Sequence, residues 1–303
     1  MINFRYHVLS VVAVFVALAA GLGLGTAALN GSVSDGRAGS LRAANDRYRD
    51  QVRQLTAEAA KQQDFDRQLA PRLLADTLAN HSVLVLTLPG ADREAVAGVE
   101  QMLGYSGATV TGEVAVRSEF TDPANADALG DLAGTQLPVD IHQSLPNHGD
   151  GVESAAALLA AVLMTDTDTV STDSRTTVLT ALETGGNIGV VKPVTGAADA
   201  VLIVAGDAAT GADAATRNTA TLTVVRQFVR AGQAVVGGEG ADGNAVAAVR
   251  RDGSLAATVS TVDTLNLVQG QLASALAVAA QLAGTVGQYG VAAGATRLAP
   301  NTD

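Results

Sequence analysis

The sequence predicts an α/β protein: an N-terminal transmembrane helix, a coiled-coil-like helix, then a mostly parallel sheet with helices on both faces. Three observations predict this. Val8 to Leu29 contains no charged residue. Apolar residues then recur with heptad spacing toward Pro71. From Ser82 onward, short β-prone apolar runs alternate with helical segments. The expected organisation is a tail and anchor over 1–30, a linker over 31–40 and a helical stalk over 41–76. An α/β domain over 80–290 and a flexible tail over 291–303 complete it.

The uncharged stretch is 22 residues long. At about 1.5 Å rise per residue it roughly matches a ~30 Å hydrocarbon core. A secretory signal core is shorter, about 7–15 residues. Length therefore favours an uncleaved anchor. The rival reading is a signal peptide cut in the small-residue stretch Gly25-Thr26-Ala27-Ala28. Ala13, Ala17, Gly21 and Gly25 recur every four residues. Small residues at that interval let two membrane helices approach closely. The plainer reading is that Ala and Gly are abundant throughout. Arg37, Arg42, Arg47 and Arg49 follow the span, and by positive charge alone they favour a cytoplasmic C-terminal part. A short tail ahead of a long domain favours export instead. The expected location is the cell membrane, single-pass, with the domain extracytoplasmic.

Leu41 opens a charged, helix-prone stretch that Pro71 is expected to end or kink. Leu41, Tyr48, Leu55, Gln62 and Leu69 are spaced by seven. Asn45, Val52, Ala59, Asp66 and Leu73 follow each by four. Together they make a heptad seam, in which Asn45 would fix register and Gln62 and Asp66 are interruptions. The seam predicts a homodimer. The competing reading is one amphipathic helix lying on the domain.

Val83–Leu86 reads as a buried strand, Asp92–Tyr105 as a helix and Ala108–Val116 as the next strand. A second strand–helix–strand unit runs through Ala200–Val204, Thr216–Arg230 and Ala234–Val236. Between the units, Val152–Met164 and Ser174–Thr184 read as helices. A strand near Leu255–Val259 and a helix from Val268 to Ala283 close the domain. A membrane β-barrel needs many alternating strands and two aromatic girdles. Past residue 80 the aromatics are Tyr105, Phe120, Phe228 and Tyr289, too few for girdles.

Composition excludes further classes. A net charge of −11 disfavours nucleic-acid binding, which needs cations to displace counterions. Zero Cys removes disulfides, thiol catalysis and thiolate metal sites. Gly238-Glu239-Gly240-Ala241-Asp242-Gly243 matches G-x-G-x-x-G after a strand, with Asp263 20 residues on. Two acids in the loop oppose a pyrophosphate there, so a structural turn is favoured. Asp166-Thr167-Asp168-Thr169-Val170 matches a phosphotransferase D-x-D-x-V motif, but it follows a helix and reads as a loop. His142 and His148 share a loop with Asp140 and Asp150 and are the candidate metal ligands. Copper(I) prefers sulfur ligands, and the only methionines are Met1, Met102 and Met164. No acid/base or nucleophile set stands out, so no catalytic residue and no cofactor is expected, copper apart.

The opening MINFRYHVLSVVAVFVALAAGLGLG resembles the actinobacterial copper transporter MctB or SteB-like family. LPGAD at Leu88–Asp92, DAVLIV at Asp199–Val204, and the stretch from Ser260 to Gly290 continue the likeness. Where the family pattern has Asn after a Val-Asp pair, this chain has Thr264. The resemblance implies one of two roles. One is daughter-cell separation, with a SteA-like membrane protein and peptidoglycan hydrolases as partners. The other is copper transport or tolerance through an outer-membrane channel, which would make the outer membrane the alternative location. Lacking soft copper ligands and barrel patterning, the sequence favours the first: a non-enzymatic, self-associating envelope protein that recruits other proteins.

Overall fold

The computed structural model describes residues 34–138, 150–164, 170–240 and 242–301. Contacts divide the chain into two units, Met1–Asp64 and Phe65–Asp303. Helix α1 spans Ser34–Leu74 and runs across that division. It begins earlier than expected, so residues 34–40 are helical rather than linker. Nor does Pro71 end it. Proline costs one helical hydrogen bond, here in the last turn, and burial of Ala70 and Leu74 on either side holds that turn in place.

In the first unit, Tyr48, Val52 and Leu55 are 68%, 62% and 64% exposed, and Asn45 and Ala59 are exposed with them. The heptad seam is therefore an open apolar stripe on a single chain. In the second unit Leu69 is half-buried, and Ala70, Leu74 and Leu78 join the core.

The second unit holds seven strands: β1 Ser82–Thr87, β2 Thr109–Val116, β3 Ile188–Lys192, β4 Ala200–Val204, β5 Gln233–Gly237, β6 Ser260–Val262 and β7 Gln288–Tyr289. The order across the sheet is β3-β2-β1-β4-β5-β6-β7, with only β3 antiparallel. The connecting helices are α2 Arg93–Tyr105, α3 Ala126–Thr135, α4 Gly151–Leu163, α5 Thr172–Thr184, α6 Ala214–Ala231, α7 Ala245–Arg251, α8 Gly253–Ala256 and α9 Val268–Leu282.

Strand side chains alternate between two cores. Leu84, Leu86, Val201, Ile203 and Val236 join the cluster with α4, α5, α6 and α7. Val83, Val85, Leu202, Val204 and Val235 join the cluster with the end of α1, α2 and α9. Both faces are thus covered, which is why these strands read as continuous apolar runs. The expected strand near Leu255–Val259 is wrong in place. Asp252 caps a short helical turn, α8, by accepting from the Ser254 and Leu255 amides, and the strand follows at Ser260.

The end of the chain folds back on the sheet. Gly290 N–H donates to Arg297 O, and Thr296 N–H donates to Gln288 O, at 2.8 and 2.7 Å. These residues were expected in a flexible tail; the hydrogen bonds tie them to β7.

Candidate functional site: the crevice between β1 and β4

The winding of the sheet reverses between β1 and β4, which pair in parallel from Val83↔Ala200 to Thr87↔Val204. Open α/β sheets bind ligands outside the carboxyl ends of the strands at such a switch point. In this chain the spot is formed by the loops after β1, β4 and β5. A crevice of about 120 Å³ lies there, lined by Gly90, Asp92, Val204, Gly206, Asp207, Glu239 and Asn266. Drug-sized ligands occupy roughly 300–1,000 Å³.

Local chemistry explains why the crevice is small and anion-averse. The N-terminus of α2 would offer free amides to a phosphate. Asp92 occupies that position itself, accepting from the Glu94 and Ala95 amides at 3.4 and 3.2 Å. Gly90 turns the preceding loop at φ 79°. The β4 loop presses against it so closely that a Cβ at Gly206 would fall 2.2 Å from Pro89 O. Asp92, Asp207 and Glu239 add negative charge around the gap. The neighbouring cleft includes Arg217, but that guanidinium is committed to the Asp122 carboxylate and the Ser118 carbonyl. The Ala124 amide, then Arg217, hold the Asp122 carboxyl below its usual range.

The G-x-G-x-x-G match sits on the loop after β5, one strand from the switch point. Gly240 and Gly243 take positive φ, 61° and 79°. Asn244 caps α7, accepting from the Ala247 amide and donating to the Glu239 carbonyl. The helix it opens has only seven residues. The loop therefore leads into a short helix capped by its own Asn244.

Asp263 is also elsewhere. It is buried against Arg250, 2.7 Å away, and accepts from the Val291 and Ala292 amides. A Cβ at Gly290 would fall 2.0 Å from its Oδ1. Its spacing from the glycines fits a ribose-binding acid, a reading the sequence disfavours; the fold joins it to the C-terminal segment.

Other candidates lie outside the described residues: Ala13, Ala17, Gly21 and Gly25 of the uncharged stretch, His142 and His148, and both acids of the Asp166–Val170 motif. Among the described residues, no group of three His, Asp or Glu is placed to hold a metal ion. Among them, too, no helix is long and apolar enough to cross a membrane.

The fold and crevice do not decide a family; the full-length sequence does. Residues 1–300 match the family model described as "Copper transport outer membrane protein, MctB". The chain belongs to the MctB family. It is 31% identical over 313 residues to a Mycobacterium tuberculosis protein named Copper transporter MctB, covering 97% of this chain and 98% of that one. The Mycobacterium bovis protein of the same name matches equally. The Mycobacterium leprae protein, also Copper transporter MctB, is 33% identical over 342 residues, covering 98% and 99%. The MctB match runs through both units and includes the uncharged N-terminal stretch, so the similarity concerns nearly the whole sequence and not one module.

Proposed function

We propose that this chain serves copper transport at the cell envelope as a non-enzymatic, membrane-tethered protein that pairs with a second copy. The observation that carries this reading is the near full-length similarity to proteins named copper transporters. The resemblance to SteB-like proteins suggested daughter-cell separation instead. The matched relatives give that role and its partners no support, because their names speak of copper.

The structure constrains how such a protein works. The described strands form one open sheet covered on both faces, so the described body is not itself a pore. Its switch-point crevice is capped by its own Asp92. The tether supplies the place, the exposed heptad stripe supplies pairing, and the body acts through what it binds. His142 and His148 are the side chains proposed to meet copper.

The test uses a host lacking its own family member. Expression of the chain is expected to lower cell-associated copper and restore growth on copper. A His142→Ala/His148→Ala variant should lose that effect and take up less copper in equilibrium dialysis. Unchanged copper content and tolerance on expression of the wild-type chain would overturn the reading.

A further inference from the structure

We draw no further inference here: the strongest candidate, the cleft of about 740 Å³ between α2 and the β2–β3 edge of the sheet, has its carboxylates Glu100 and Glu113 beside a Lys192 ammonium already 2.6 Å from Glu100 Oε1, and nothing in the structure shows what covers its apolar walls at Val96, Ala115 and Val191.

Discussion

Nη1 of Arg250 stands 2.7 Å from Oδ2 of Asp263, and the two side chains are 3% and 0% exposed. The pair stitches three pieces of chain together. Arg250 also donates to Thr261 Oγ1 on β6 and to the Tyr289 carbonyl on β7. Asp263 receives the Val291 and Ala292 amides. Removing one partner strands the other charge in the core. Asp263→Asn is expected to cost about 3–5 kcal/mol, read from urea denaturation. The double variant with Arg250→Met should cost less than the sum of the two single changes, because the sites are coupled. Strict additivity would refute the coupling.

Glu113 gives the protein a pH-dependent term. Burial, and next the facing Glu100, raise its carboxyl above the ordinary 4.5, while Lys192 pulls the other way. The folded state therefore holds this proton more tightly than the unfolded state. The resulting stability is full below about 4.5 and is lost as pH rises through the folded-state value. Glu113→Gln cannot ionise, so its stability should decline less across that range. Parallel stability-against-pH curves for the two proteins would remove Glu113 as the source.

Two glycines make opposite predictions. Gly206→Ala drives a methyl into the Pro89 and Gly90 backbone, and a cost of about 1–3 kcal/mol is expected from forcing the loops apart. Gly104 lies in α2 with nothing within 4 Å of a added Cβ. There Gly104→Ala should gain about 0.5–1 kcal/mol from the reduced freedom of the unfolded chain. Thermal melts of the two variants should shift in opposite directions.

The exposed stripe on α1 should close in a pair of chains. With Val52 and Leu55 exposed at adjoining seam positions, the full chain in detergent is expected to sediment as a dimer. Val52→Asp combined with Leu55→Asp should shift it toward monomer, since two charges would enter the seam. A wild-type chain that sediments as a monomer would defeat the pairing.

The legible parts of this fold were those whose pattern is local. Val83–Leu86 and Ala200–Val204 are buried on both sides, so each is an unbroken apolar run. The helices α2, α4, α5, α6 and α9 show in their composition and periodicity, and their ends fall within about two residues of the reading. What the pattern could not carry was pairing across distance. β3 has two buried residues at its start and an exposed end, too weak a signal to mark an antiparallel edge strand. β7 has only two residues and exists through its bonds to β6 and to the returning tail. Among candidate site residues, Asp263 shows the same limit. Its 20-residue spacing fitted a ribose-binding acid, and only the fold reveals that Arg250 already holds it. Glu113 went unnoticed because a single Glu in a strand carries no motif. Alternation along β2 between apolar residues was the available hint that it points inward.

The two margins of the sheet are unequal. Beyond β7 the chain returns through Thr296 and Arg297 and uses up hydrogen-bonding groups that would otherwise face outward. At the other margin β3 ends in Val191 and Lys192, both exposed, with Glu183 accepting from the Val190 amide. Exposed strand margins invite a further strand, and a lysine there discourages it. The sheet thus has a sealed side and a guarded one. Any extension of it, by an extra strand or by an aggregating neighbour, must start at β3 and first displace Lys192.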